Sequence, residues 1–172
     1  DPAPQAAALH ALNTFSGLPH RMRLVGTVKG IRFWDDSIST IPEASTLAVE
    51  AIGDVDTLVF GGLDRGIRYD SLIRYLAQGK VPVLIGLPDT GHRLLDALTA
   101  IPELPSGIRL IRAANMEEAI SSAYRWTRPG HSCLLSPAAA SYGWYRNFEE
   151  RGDHFTRLVL AESVETVIPQ SF

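Results

Sequence analysis

One cysteine, two lysines and two methionines are all that 172 residues contain of these types. The lone Cys133 excludes an internal disulfide and any zinc site built from several cysteines, and it fits a reducing compartment. No run approaches the roughly 18 apolar residues of a membrane span. Asp1-Pro2-Ala3-Pro4-Gln5 lacks the basic start and apolar stretch of a signal peptide, so the reading is of a cytoplasmic protein without a membrane partner. There is no initiator Met, as in a chain cut from something longer. The Walker pattern (Gly, four residues, Gly-Lys, then Ser or Thr) occurs nowhere, which excludes a P-loop. No Gly-x-Ser-x-Gly elbow surrounds Ser136 or Ser141, and no His base can be assigned to either, which speaks against a serine hydrolase. His20, His92, His131 and His154 stand at no metal-ligand spacing and read as surface or hydrogen-bonded side chains.

What is present suits one soluble domain. Hydrophobic residues make up 45% and charged residues 20%, and a chain of this length buries roughly 70% of its unfolded surface. The net charge is −3, distributed unevenly: residues 2–34 carry Arg21, Arg23, Lys29 and Arg32 with no acid, and residues 35–172 sum to −6. Nucleic-acid binding is disfavoured, although a basic stripe beside a cleft can hold one phosphorylated ligand. Fourteen of the sixteen basic residues are Arg, so an Arg where Lys might stand carries little information.

The pattern of elements predicts an α/β fold. Residues 5–15 read as a short helix ending at Ser16-Gly17, the end of an earlier element. Residues 22–28 and 31–34 read as a β-hairpin about Lys29-Gly30. Short apolar runs at 58–60, 83–85, 108–111 and 133–135 then alternate with helical stretches near 43–52, 70–79, 91–100 and 115–127. Such alternation implies a Rossmann-like, mostly parallel sheet with helices on both faces. A last helical region, about 144–162, reads as interrupted at Gly152-Asp153, with Asp153 capping a new helix. Cys133, inside a strand, reads as a small core residue.

Ligands of such sheets bind at the carboxyl ends of the strands, which directs attention to four loops, Asp35 to Pro42, Gly61 to Gly66, Gly86 to Gly91 and Ser136 to Gly143, three of which carry polar or glycine-rich signals. Asp35 to Glu43 places two carboxylates and three hydroxyls between a strand and a helix. Its structural reading makes Thr40 the N-cap with Pro42 just inside the helix; its functional reading is a polar pocket for sugar hydroxyls and an anion. Gly61-Gly62-Leu63-Asp64-Arg65-Gly66 permits close backbone approach, and Arg65 on a rigid loop suits bidentate carboxylate binding. Ser136 to Gly143 consists mostly of small residues that let a ligand or helix come close.

Leu18-Pro19-His20-Arg21, Asp36-Ser37 through Thr40 and Pro42, Gly61-Gly62 with Asp64-Arg65-Gly66, Leu135-Ser136-Pro137-Ala138 through Ser141, and Asn147-Phe148-Glu149-Glu150-Arg151-Gly152-Asp153 together resemble the C-terminal domain of the Mur ligases. The closest branch is that of the UDP-N-acetylmuramoyl-L-alanine:glutamate ligases, MurD. The resemblance covers essentially the whole chain, with residues 1–17 as the end of a preceding linker and helix and 18–172 as the domain. It implies two further domains, an N-terminal one for the UDP-sugar and a central P-loop ATPase, consistent with the missing Walker motif. The implied chemistry is ATP-dependent, with magnesium mostly held by the central domain. A carboxylate of UDP-N-acetylmuramoyl-L-alanine is phosphorylated, and the amine of glutamate attacks the acyl phosphate to give an amide, ADP and phosphate.

By position, the resemblance matches Arg21 to an arginine that reaches ATP and Asp36 to the acid that holds the ribose hydroxyls. It matches Thr40, Arg65, Ser141 and Phe148 to the surroundings of glutamate, Arg65 and Thr40 toward one carboxylate, Ser141 and the Phe148 region toward the other. Where a typical D-glutamate-adding member reads Asp-Ser-Lys-Ala-Thr-Asn-Pro, this chain has Asp36-Ser37-Ile38-Ser39-Thr40-Ile41-Pro42, and Arg65 replaces a Lys. Ile38 and Ile41 remove a charge and an amide. The pattern looks more like the L-glutamate-adding paralogue, with D-glutamate as the direct alternative. A lone α/β module that binds a nucleotide or acidic ligand without catalysis is the alternative of another class.

Overall fold

The computed structural model describes residues 17–164, so the helix expected over 5–15 and the last eight residues lie outside the described part. Six strands form one sheet: β1 (Arg23–Val28), β2 (Ile31–Asp35), β3 (Val55–Gly62), β4 (Val83–Asp89), β5 (Arg109–Arg112) and β6 (Ser132–Leu135). Among the described residues five helices connect or follow them: α1 (Pro42–Ile52), α2 (Asp70–Leu76), α3 (Thr90–Thr99), α4 (Met116–Trp126) and α5 (Phe148–Val164). The strand order is β1-β2-β6-β3-β4-β5. Only the β1–β2 pairing is antiparallel; its turn, Lys29-Gly30, has positive φ at both residues, the mirror-image geometry whose twist matches the strands.

The expected doubly covered sheet is what forms. Side chains alternate along β3, so Val59 joins Cys133, Leu135, Ile120 and Phe155 on the face covered by α4 and α5, while Leu58 and Phe60 join Leu134, Leu72 and Leu94 under α1, α2 and α3. Cys133 is a fully buried member of this core, and burial pushes its thiol pKa well up.

Two expectations are corrected. Helix α5 runs through Gly152-Asp153 without interruption and starts at Phe148 rather than near 144. Its cap is Asn147, whose Oδ1 accepts from Glu150 N at 2.9 Å. Gly152 is a point of close approach: a Cβ there would lie 2.8 Å from Asp35 Oδ2 and nearer still to His20 Nδ1. Thr40 is not the cap of α1 either. Ile41 occupies that position without a side-chain hydrogen bond, and Pro42, with no N–H to leave unsatisfied, opens the helix.

The topology creates a crevice. From β3 the chain moves to β4 and β5 on one side, and β6 returns on the other, so the loops leaving β3 and β6 diverge at a topological switch point. They remain joined just beyond the sheet, where Gly61 N donates to Pro137 O and Leu63 N to Ala140 O, both at 2.9 Å.

Candidate functional site

A buried acid pair organises the edge of the crevice nearest β2. His20 Nδ1 lies 2.6 Å from Asp35 Oδ2, with the histidine 5% exposed and the aspartate fully buried. Asp36, next in the chain, receives the Met22 N–H on Oδ1 at 3.2 Å and the Ser136 hydroxyl on Oδ2 at 2.7 Å. Burial lifts the Asp36 carboxyl above its ordinary range, the Asp35 charge adds to the effect, and hydrogen bonds from Ser39, Ser136 and Met22 only partly oppose it. Asp36 is therefore turned into the protein, where it fixes the turn at residues 20–22. His20 and Met22 both have positive φ there, a conformation that needs such outside support. Arg21, between them, is exposed. The basic stripe is shorter than the sequence suggested: Lys29 pairs with Glu162 and Arg32 with Asp54.

Across the crevice, Arg65 Nη2 donates to Thr40 O at 2.9 Å, tying the loop after β3 to the loop after β2. Arg65 is exposed, and Asp64 beside it is occupied by Arg93 Nη1 at 3.0 Å. The bridge between Leu63 and Ala140 places buried Ser141 on the third loop. Phe148 stands on the β2 side, its ring edge-on to His20 at 6.2 Å between centroids and its carbonyl accepting from Ser37 Oγ at 2.8 Å. Thr40, Arg65 and Ser141 thus lie on three loops that touch at one end of the sheet, and Phe148 opens α5 beside the loop after β2. Of the two isoleucines, Ile38 is half-buried and Ile41 is 47% exposed beside Thr40.

One residue central to this arrangement received no role from the sequence. Arg151, 1% exposed, donates from Nε to Ser37 Oγ at 3.0 Å, from Nη2 to Ser37 O at 2.8 Å and from Nη1 to Ala139 O at 3.0 Å. It clamps the loop after β2 to the loop after β6. Gly62 makes room for it, since a Cβ there would collide with Ala140 O and sit 3.2 Å from Arg151 Nη1. Loss of water pulls the guanidinium pKa down to about 10, with Tyr145 and Asp35 partly opposing the fall. A signal for it existed in the sequence: Arg151, Phe155 and Val159 fall on one stripe of α5 at four-residue spacing, and all three are buried.

Beside Arg151 lies a cavity of about 200 Å³ lined by Gly62, Ser141, Tyr145, His154 and the first turn of α4, Asn115 to Glu117. Tyr145 OH lies 2.9 Å from His154 Nδ1, and His154 Nε2 is 3.2 Å from Glu117 Oε1. Burial raises the Tyr145 phenol to about 12. His92 also has a partner, the Ala113 carbonyl at 3.0 Å. Among the described residues no three His, Cys, Asp or Glu side chains are grouped to hold a metal ion, and no helix is long and apolar enough to cross a membrane.

No family model matches the chain. Curated relatives do. A UDP-N-acetylmuramoylalanine--D-glutamate ligase of Lactobacillus acidophilus is 40% identical over 149 residues, 86% of this chain and 31% of the relative. A UDP-N-acetylmuramoyl-L-alanine--L-glutamate ligase of Salinispora tropica is 39% identical over 150 residues, 87% of this chain and 32% of the relative. The MurF ligase of Thermotoga maritima, solved in complex with ADP, shares the fold with a TM-score of 0.55 at 14% identity, over 96% of this chain and 38% of that one. The chain spans about a third of the length of these proteins. By sequence the chain is similar to ligases that add glutamate to UDP-N-acetylmuramoylalanine, over about a third of their length, and its mostly parallel α/β sheet with helices on both faces is similar in fold to part of the MurF ligase.

Proposed function

We propose that residues 18–172 are the amino-acid-adding C-terminal domain of an ATP-dependent ligase that joins glutamate to UDP-N-acetylmuramoyl-L-alanine in peptidoglycan synthesis. The observation that carries this reading is the convergence of three loops on one crevice: Arg65 bonds to Thr40, and Leu63 bridges Ala140 next to Ser141. A dicarboxylic amino acid needs donors at both ends. Exposed Arg65 with Thr40 serves one carboxylate, and Ser141 with the Phe148 region serves the other. These groups bind and orient, so that the amine meets an acyl phosphate held by the N-terminal and central domains of the same chain. Proximity and orientation are their contribution to rate.

Arg21 is exposed next to the pinned turn and is the nucleotide contact in this reading. Asp36 can serve a ribose by exchanging the Ser136 hydroxyl on Oδ2 for a sugar hydroxyl, a like-for-like replacement of donors. Magnesium would neutralise the ATP phosphates when bound. In this reading it is held mostly by the central domain.

The enantiomer is assigned to L-glutamate. Ile38 and Ile41 replace polar groups on the wall beside Thr40, and the Salinispora tropica relative is named for L-glutamate. The D-glutamate reading is supported by the name of the Lactobacillus acidophilus relative. The test is amide formation by the full-length protein with ATP, magnesium and UDP-N-acetylmuramoyl-L-alanine, offering the two enantiomers in parallel. Preference for L makes Ile38 and Ile41 specificity determinants. Preference for D makes them neutral changes, and no turnover with either returns the domain to a non-catalytic binding module.

A further inference from the structure

We infer that Arg151 supplies the positive charge for the second carboxylate of the amino acid, whose side chain enters the cavity bounded by Ser141, Tyr145 and the first turn of α4. The inference rests on the proposed function and adds a residue and a subsite to it.

Ser141 and Phe148 are neutral, so neither group assigned to the second carboxylate brings a charge, and Arg151 is the arginine that lines the adjoining cavity. It is 1% exposed. A guanidinium carries five N–H donors, and three are engaged, all by neutral oxygens of Ser37 and Ala139. No carboxylate lies within ion-pair distance of it among the described residues, whereas Arg93 has Asp64 at 3.0 Å. Asp35 offsets part of the lost hydration of Arg151 from a distance but does not bond to it, and a buried charge with no directly bonded counter-charge is a costly arrangement that an entering anion relieves.

The cavity's other walls suit the same guest. Asn115 Oδ1 is occupied by Glu118 N at 2.9 Å, and the Glu118 side chain turns back to Ala114 N at 2.8 Å, closing the cap of α4. The N–H groups of Met116 and Glu117, in the first turn, have no partner among the described residues and face the electropositive end of the helix. Ser141 belongs both to the cavity and to the crevice, which makes the two continuous. At about 200 Å³ the space falls below the roughly 300–1,000 Å³ of sites for drug-sized ligands, and it fits an amino-acid side chain rather than a nucleotide. Glu117 is the one acid on the rim, and His154 holds it.

The experiment compares steady-state kinetics of the full-length protein with glutamate and with glutamine, its neutral isostere. Arg151→Gln keeps donors toward Ser37 and removes the charge. The expected result is a rise in the glutamate KM of roughly 30-fold or more, a collapsed preference for glutamate over glutamine, and unchanged KM values for ATP and the UDP-sugar substrate. Parallel loss for all substrates overturns the inference and leaves Arg151 as a clamp only. Because a buried arginine variant can fail to fold, Glu117→Gln on the exposed rim provides the second arm. Removing that negative charge should lower the glutamate KM about two- to fivefold and leave glutamine unaffected; an unchanged glutamate KM overturns the inference. Absence of amide product from the unmodified protein with either glutamate enantiomer refutes the proposed function itself. Product with a charge-insensitive cavity refutes only the subsite.

Discussion

Replacing Gly152 by alanine adds one methyl group to helix α5 at the point where it touches the buried His20–Asp35 pair. In an exposed helix the change would stabilise by about 1 kcal/mol, because glycine is the poorer helix former. Here the added carbon falls 2.8 Å from Asp35 Oδ2 and closer to His20 Nδ1, so either the helix backs away or the imidazole leaves its partner. Overpacking a tight site costs about 1–3 kcal/mol, and a hydrogen bond to a charged group is worth about 1.5–3 kcal/mol. Setting these against the propensity gain leaves a net loss of about 1.5–5 kcal/mol. At about 2–4 °C per kcal/mol for a chain of this size, the melting temperature should fall by at least about 3 °C. Urea denaturation gives the free energy, and a second variant isolates the cause: in a His20→Ala background the nearest obstacle is gone and only Asp35 Oδ2 at 2.8 Å remains, so Gly152→Ala should cost less there by about 0.5–3 kcal/mol. A coupling of this size is expected of residues in contact. If Gly152→Ala is as stable as the parent, or costs the same in both backgrounds, the close approach is not what glycine is there for.

Three other outcomes follow from the same geometry. Arg65→Ala should raise the glutamate KM about tenfold or more through loss of a charged donor and leave the ATP KM within about twofold; equal losses for both would remove Arg65 from the amino-acid site. Asp36 has a raised carboxyl pKa in the folded state, so its contribution to stability is fully present below the ordinary carboxylate value of about 3.9 and is lost as pH rises through the folded value. The stability difference of Asp36→Asn over the parent should therefore grow with pH across that window, and a constant difference between about pH 4 and pH 8 contradicts the assignment. Cys133 is fully buried with its thiol pKa pushed up, so a thiol reagent should modify it at the rate of unfolding, and rapid labelling of the native protein would place it outside the core.

The layered fold was legible because its cause is local. Runs such as Leu58-Val59-Phe60 and Leu134-Leu135 announce strands buried on both faces, and the amphipathic stretches between them need a sheet to cover. The strand boundaries were less so. β3 extends to Gly62, beyond its apolar run, because Gly62 pairs with Asp89 of β4, and the sequence carries no mark of that partner. The interruption expected at Gly152 misread a packing glycine as a helix breaker. Composition alone cannot separate the two, since the distinction lies in His20, 132 residues away in the chain.

The site divided along the same line. The loops that carry Arg65, Thr40 and Ser141 could be found because ligand positions in such sheets follow from topology, but their mutual contacts depend on the switch point between β3 and β6, which sequence order does not state. Arg151 shows most clearly what was available and not used. A guanidinium set at i, i+4 and i+8 with Phe155 and Val159 sits on the buried face of its helix, and an arginine seldom lies on such a face without a counter-charge. The same stripe also explains why Arg151 serves two ends at once. Its backbone is fixed by α5 packing through Phe155, so its fork can hold Ser37 and Ala139 rigidly while no carboxylate bonds to it directly. A lysine could not do this, because one ammonium on a flexible stem cannot reach three acceptors in a fixed plane. Arginine at 151 is therefore a requirement of geometry, in contrast to Arg65, where a composition of fourteen Arg to two Lys makes the choice uninformative.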